Sequence, residues 1–348
     1  MTTYQTTSKH VDSSATGESD AGLLTSILKP VANEIALVEQ HLETNLIDDN
    51  PFVGELLGQI FKAGGKRIRV AIALLCSKAT CKTEDFSRLH IILAVLTELI
   101  HTASLVHDDV IDTASTRRGQ ETINKRFNDR VAVLMGDLLF AQASICLARI
   151  MNPVVVGIYG QVLGDLCSGE IRQMRNQFST AVDWQSYLRK SINKTASLFA
   201  AGSHSGAILN AQPDAVVADL KEYGLNLGLL FQLVDDLLDV TGSSAVLGKP
   251  AGGDLQSGVI TAPALFILER EDDIAARLRE LIKTRAVTTF EGNSEALDLI
   301  RNHGGVEKTV ELCQKYATAS KESLACLPPT IYKESLERLV DYVMTRTN

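Results

Sequence analysis

Two stretches of this 348-residue sequence carry carboxylates at helical spacing: His107-Asp108-Asp109-Val110-Ile111-Asp112 and Asp235-Asp236-Leu237-Leu238-Asp239. At about 100° per residue, Asp108 and Asp112 lie one turn apart on one face with Asp109 to the side. His101 and Ser104 share that face below them. Gly228, Gln232, Asp235 and Asp239 make the matching stripe of the second segment, with Asp236 beside it. Carboxylates so spaced repel one another, and the C-terminal end of a helix is an unfavourable place for more negative charge. One such cluster reads most simply as a solvated helix end. Two of them, each continuing an apolar stripe rather than a polar face, imply that something positive sits between them. All-oxygen ligands suit a hard cation, and Mg²⁺ in particular takes a few carboxylates, several waters and phosphate oxygens.

Cations accompany both clusters. Gly64-Gly65-Lys66-Arg67-Ile68-Arg69 places three of them after a glycine pair, where backbone can approach an anion. Arg117-Arg118-Gly119 follows the first acidic cluster, and Lys249 lies in the loop Gly248-Lys249-Pro250-Ala251-Gly252-Gly253-Asp254 after the second. Each group alone reads as surface charge. Together, guanidinium forks and ammonium point charges suit two diphosphates. The glycine loop lacks the Gly-x-x-x-x-Gly-Lys-Ser/Thr pattern of a nucleotide-triphosphate site. Glu98-Leu99-Ile100-His101 is a single Glu-x-x-His, whereas a di-iron carboxylate bundle needs two.

The elements that must position these groups are helices. From about Leu23 to Thr345 apolar residues recur every three or four positions, and alternating β-branched runs are scarce. Glycines 160, 164 and 169 punctuate one helix and Gly224 and Gly228 another, where small residues let helices approach or leave space for a ligand. Breaks fall near Thr80–Thr83, Thr113–Gln120, Asn210–Asp214, Gly242–Gly258 and Pro328–Pro329. The expectation is an all-α, single-domain bundle of roughly ten or more helices around a central apolar cavity. It occupies residues 23–348, behind a disordered polar tail at 1–22.

Hydrophobic residues make up 45% of the chain, enough for a large core, and a net charge of −8 argues against a protein that coats nucleic acid. No uninterrupted apolar run reaches the roughly 20 residues that span a bilayer. The first twenty residues match neither a secretory signal nor a transit peptide, so a soluble cytoplasmic protein is expected, a mature organellar form having the same appearance. Six cysteines without a Cys-x-x-Cys pair read as reduced, buried thiols.

These motifs, in this order, resemble the trans-prenyl diphosphate synthases. The matching pieces are Gly64-Gly65-Lys66-x-x-Arg69, Asp108-Asp109-x-x-Asp112 with Arg117-Arg118-Gly119, Gly136-Asp137, Lys194-Thr195, Gly228-x-x-x-Gln232-x-x-Asp235-Asp236-x-x-Asp239 and Gly248-Lys249 through Asp254. Gly304-Gly305-Val306-Glu307 resembles the family's C-terminal segment, and Val70 replaces a proline that often follows Arg69. The resemblance implies that Asp108, Asp112 and Asp235 lead in binding about two or three Mg²⁺ ions, supported by Asp109, Asp236 and Asp239. It assigns Lys66, Arg69, His101 and Arg118 to isopentenyl diphosphate, and Arg117, Lys194, Thr195, Gln232 and Lys249 to an allylic diphosphate. It further implies a homodimer, with no transmembrane segment and a lipid product that passes to a membrane.

Small residues upstream of Asp108, namely Ala103 and Ser104, imply an open tunnel mouth and a long product, since bulky aromatics there accompany short ones in the family. Helical geometry favours Ser104 over Ala103, and close packing between two helices would explain both equally. The nearest resemblance is to solanesyl- and octaprenyl-type synthases, which feed quinone side chains. A geranylgeranyl diphosphate synthase is the first alternative. A non-catalytic regulatory subunit is the second, and it disagrees with two complete acidic motifs. A terpene cyclase would have no use for the Lys66 and Arg69 site.

Overall fold

The computed structural model describes residues 20–44, 50–62, 64–82, 86–242 and 251–347. Lys249 and the tail up to residue 19 lie outside the described residues, so the expectations attached to them do too. Helices begin at once: α1 (Asp20–Leu28) starts inside the expected tail and leads through a 3₁₀ turn into α2 (Ala32–Thr44). Then follow α3 (Pro51–Lys62), α4 (Ile68–Thr80), α5 (Arg88–Ile111), the short α6 (Ile123–Arg126), α7 (Asp129–Ile150), α8 (Pro153–Arg175), α9 (Trp184–Ser191), α10 (Ser197–Leu209) and α11 (Asp214–Thr241). The C-terminal part adds α12 (Gly253–Gln256), α13 (Ala262–Leu268), α14 (Asp273–Lys283), α15 (Phe290–Asn302), α16 (Gly305–Glu322) and α17 (Ile331–Thr345). The protein is all-α, as the apolar periodicity requires.

Local chemistry sets the ends of the helices that matter. Ser87 caps α5, its hydroxyl accepting from Leu89 N while His90 Nδ1 accepts from Ser87 N, a capping box with histidine in place of glutamate. Asn152 caps α8 ahead of Pro153, whose missing N–H costs nothing in the first turn. α4 is apolar on every side, and Val70 through Cys76 are fully buried, which puts it at the centre of the bundle. Gly224 and Gly228 let α11 lie directly on α10 and the turn before it: a Cβ at Gly228 would stand 2.5 Å from Ala196 Cα, and one at Gly224 2.6 Å from Ala200 Cα. Of the two uses open to such glycines, close approach is the one taken here. Gly160 and Gly164 face open space instead.

Three expectations are revised. The break at Thr113–Gln120 contains a β-ribbon, β1 (Thr116–Arg117) paired antiparallel with β2 (Gln120–Glu121), and its turn residues Arg118 and Gly119 have φ of 51° and 75°. Two positive φ values make this the hairpin turn that matches strand twist. The cysteines are all free thiols, but only Cys76, Cys146 and Cys313 are buried; Cys167 is exposed, and Cys81 and Cys326 are intermediate. Finally, residues 20–44, α5, α7 and α8 are each long and apolar enough to cross a membrane by length and composition. Mean hydropathy tolerates the one or two charges at which an uninterrupted run stops. The most apolar window of α5 is 67% buried within the bundle, whereas those of α7 and α8 are 33% and 28% buried.

Candidate active site

α5 carries the first acidic cluster at its C-terminal end. Asp112 is the capping residue and is exposed, while Asp108, one turn back, is drawn inward. Burial pushes the Asp108 carboxyl up to about 6 against the pull of Lys194, and Glu170 and Asp112 add to the shift. Asp109 faces elsewhere. One of its oxygens accepts from both Arg117 Nε at 2.9 Å and Arg117 Nη2 at 2.6 Å, and Asn124 donates to its main-chain carbonyl. Gly136 on α7 makes room for the ring of His107 beside the cluster, since a Cβ there would overlap the imidazole at 2.1 Å.

Lys194 and Thr195 sit on a single π-helical turn, Ile192–Ala196, between α9 and α10. Such bulges re-aim side chains that a regular helix would turn away. Lys194 Nζ lies 2.5 Å from Glu170 Oε2 on α8 and 3.8 Å from Asp108 Oδ2. Burial alone would lower its pKa, but Asp108 and Glu170 outweigh that and raise it, so the ammonium stays charged. From the next residue, Thr195 Oγ1 donates to Gln232 Oε1 on α11 at 2.8 Å. The turn therefore touches both acidic helices.

On α11 the three aspartates differ. Asp235 is paired with Arg346 at 2.5 Å, and the Arg346 guanidinium stacks 4.0 Å over the Phe231 ring. Asp236 is fully buried and accepts from Tyr187 OH at 2.7 Å, Gln232 Nε2 at 2.9 Å and Ala262 N at 3.0 Å. Burial pushes its carboxyl up to about 6, against Lys190, Tyr187 and Ala262 N. Asp239 accepts from Asp254 N, tying α11 to α12. Among the described residues no three His, Cys, Asp or Glu side chains converge to hold an ion by themselves.

The cationic loop forms a second group. Arg67, in left-handed backbone at φ 50°, precedes α4 and pairs with Glu98 of α5 at 2.5 Å, both side chains being nearly inaccessible. Arg69 stacks 4.6 Å over Phe199, and its Nη1 stands 3.2 Å from His101 Nε2. Burial lowers Arg69 to about 10 and, with Arg69 and Arg118 adding, holds His101 well below its usual value. The guanidinium donates, so the neutral imidazole accepts through Nε2. Arg118 reaches from the β-turn to donate to the Gly64 carbonyl, and its guanidinium lies flat against Gly65, where a Cβ would be 3.0 Å away. Lys66 is half-buried, with its pKa lowered by burial and by Arg346. A cavity of about 460 Å³ opens beside Lys66, between Leu24, Glu39 and Tyr342.

The structure thus gathers Asp108, Lys194, Thr195 and Gln232 around one turn, and Lys66, Arg69, His101 and Arg118 around the glycine pair. Asp109 and Asp236 are committed to protein donors. On α5, Ala103 is fully buried, and half-buried Ser104 donates to the His101 carbonyl at 2.8 Å. Glu170, Tyr187 and Arg346 are additions to the set legible in the sequence. Glu170 follows one of the punctuating glycines, and Gly169 brings α8 against Asn193 of the π-turn. Tyr187 and Arg346 carry no comparable signal.

The polyprenyl synthetase family model matches residues 50–299. A prenyl transferase of Synechocystis sp. is 44% identical over 322 residues, covering 92% of this chain and 98% of that protein. The chloroplastic solanesyl-diphosphate synthase 2 of Oryza sativa subsp. japonica is 40% identical over 93% of this chain and 80% of its own length. Among solved structures, a polyprenyl synthase from Caulobacter crescentus CB15, complexed with calcium and isoprenyl diphosphate, superposes with a TM-score of 0.87 at 30% identity, over 96% of this chain and all of that one.

Proposed function

Because the chain belongs to the polyprenyl synthetase family, we propose that it condenses isopentenyl diphosphate with an allylic diphosphate, farnesyl or geranylgeranyl, into a long all-trans polyprenyl diphosphate for quinone side chains. The observation that carries this reading is the π-turn, which joins Lys194 beside Asp108 to Thr195 and Gln232 on the helix of the second acidic motif. The long product rests on the solanesyl-forming relative together with the small residues Ala103 and Ser104.

The donor set fits a divalent cation. Asp108 is a carboxylate crowded by Glu170 and Asp112 with one ammonium 3.8 Å away, a local excess of negative charge made of hard oxygen atoms. Asp108, Asp112, Asp235 and Asp239 would hold Mg²⁺ jointly with substrate phosphate and water, since among the described residues no three side chains form a cage. Calcium in the related Caulobacter structure agrees with a divalent site. When bound, Mg²⁺ supplies Lewis-acid neutralisation of the departing diphosphate.

The chain's own residues do the rest. Lys194, Thr195, Gln232 and Arg117 orient the allylic diphosphate, and Lys249 belongs with them. Lys66, Arg69 and Arg118 bind isopentenyl diphosphate, with neutral His101 holding Arg69 in place and Glu98 holding Arg67. The allylic C–O bond breaks, the isopentenyl double bond attacks the allylic cation, and the departing diphosphate takes the released proton. The apolar faces of α5 and α10 keep water from the cation.

A second copy of the chain packs against the outer face of α7 and α8. Leu134 on α7 and Ile171 on α8 are 66% and 67% exposed, on helices whose apolar windows are less than half buried, and Met151 in the link between them is 85% exposed. The proposed compartment is the cytoplasm; cell fractionation that finds the chain in an organelle would replace it. The deciding assay for activity is incubation with labelled isopentenyl diphosphate, an allylic primer and Mg²⁺, followed by chromatography of the dephosphorylated lipids. Products of about C40 or longer support the reading; C20 alone assigns a geranylgeranyl diphosphate synthase, and no product with any primer assigns a regulatory subunit.

A further inference from the structure

We propose that Tyr187 and Asp236 are positioning residues: they fix the amide of Gln232 so that it offers an N–H to the allylic diphosphate, and Asp236 is not a metal ligand. This inference rests on the site assignment just made. Its ground is a hydrogen-bond chain whose direction is forced at every link. Ala262 N can only donate, and it donates to Asp236 Oδ2 at 3.0 Å. Tyr187 OH donates to the same oxygen at 2.7 Å. The other oxygen of a carboxylate can only accept, so Gln232 must turn Nε2 towards it, as it does at 2.9 Å. Gln232 Oε1 then faces Thr195, whose hydroxyl has to be the donor, at 2.8 Å.

Asp236 and Tyr187 are 0% and 1% exposed, whereas Gln232 is only partly buried. The carboxylate therefore acts from inside, and the amide nitrogen it selects keeps a second hydrogen for a ligand. Were the amide reversed, a carbonyl oxygen would face the phosphate oxygens, acceptor against acceptor. A buried carboxylate with three donors also has little left for an ion, since reaching one would leave the buried Tyr187 hydroxyl and Ala262 N without their acceptor.

The test compares wild type with Asp236→Asn and Tyr187→Phe. Steady-state kinetics give separate KM values for the allylic and isopentenyl substrates and the Mg²⁺ concentration for half-maximal rate, and calorimetry follows binding of the allylic diphosphate. In Asp236→Asn the new amide donates to Gln232, which reverses. The allylic KM and dissociation constant should then rise about tenfold or more, the scale of one hydrogen bond to a charged group. The isopentenyl KM and the Mg²⁺ midpoint at saturating allylic substrate should stay within about twofold. Tyr187→Phe, which leaves Ala262 N to hold the carboxylate, should raise the allylic KM about threefold with the same selectivity, and it keeps the idea testable if the asparagine variant does not fold. A tenfold higher Mg²⁺ midpoint in Asp236→Asn would make Asp236 a ligand and overturn the proposal. So would equal losses for both substrates, or allylic affinity unchanged in both variants while wild type turns over. A wild-type chain that neither turns over nor binds the allylic diphosphate overturns the site assignment itself.

Discussion

Gly228→Ala probes how closely the second acidic helix must lie against the π-turn. An added Cβ would stand 2.5 Å from Ala196 Cα and 2.7 Å from Ala196 Cβ. The obstacle is main chain and a methyl group, neither of which can swing aside. Ordinary carbon contacts begin near 3.5 Å, so α11 must retreat from the turn by about 1 Å. Overpacking of that kind costs about 1–3 kcal/mol. Gln232 lies one helical turn beyond Gly228 and bonds Thr195 at 2.8 Å, so a retreat of that size stretches the bond to about 3.8 Å, past the limit of a hydrogen bond. Misplacing a catalytic group by about 1 Å costs on the order of a hundredfold in rate. Two measurements check this together: urea unfolding of the variant, and its turnover with saturating substrates. A variant that unfolds within about 0.5 kcal/mol of wild type and turns over within about threefold would refute the reasoning, because the contact at Gly228 would then be slack.

Asp108→Ala should abolish turnover while leaving the far-ultraviolet dichroism and unfolding midpoint near wild type, and near-normal activity would remove Asp108 from the proposed metal site. Glu98→Gln leaves the Arg67 guanidinium without its charged partner in a nearly inaccessible position, so unfolding free energy should drop by about 3 kcal/mol or more; a loss under about 1 kcal/mol would mean that Glu39, 3.5 Å from Arg67 Nε, carries the pair. Ser104→Phe should shorten the lipid product seen by chromatography, and an unchanged chain length would remove Ser104 from the proposed tunnel mouth. If the chain forms the proposed dimer, Leu134→Glu should leave a monomer in light scattering, and an unaltered mass would move the interface away from α7.

Much of the candidate site's placement was legible from residue types and spacing. Period 3.6 requires that Asp108 and Asp112 share a face, and Asp235 and Asp239 likewise, whatever the rest of the chain does. The apolar stripes leading into both clusters dictated that acid and core lie on the same side. The glycine pair ahead of Lys66 announced backbone built for close approach, and the structure uses it to seat Arg118 against Gly65. Which carboxylates are committed to protein donors was beyond local pattern. Asp108 and Asp109 are identical neighbours, yet one lies near Lys194 and the other is held by Arg117 from β1. Asp235 and Asp236 part company in the same way, towards Arg346 and Tyr187.

Spacing along one helix determines a side chain's angle about that helix, and so the sequence by itself determined the helices, the acidic faces and the cationic loop. It is silent on what stands opposite. Tyr187, 49 residues before Asp236, and Arg346, 111 residues after Asp235, meet their partners only when α9, α11 and the end of α17 are packed together. Tertiary structure alone decided those pairings, because the donors come from helices whose mutual rotation depends on the whole core rather than on any segment of it.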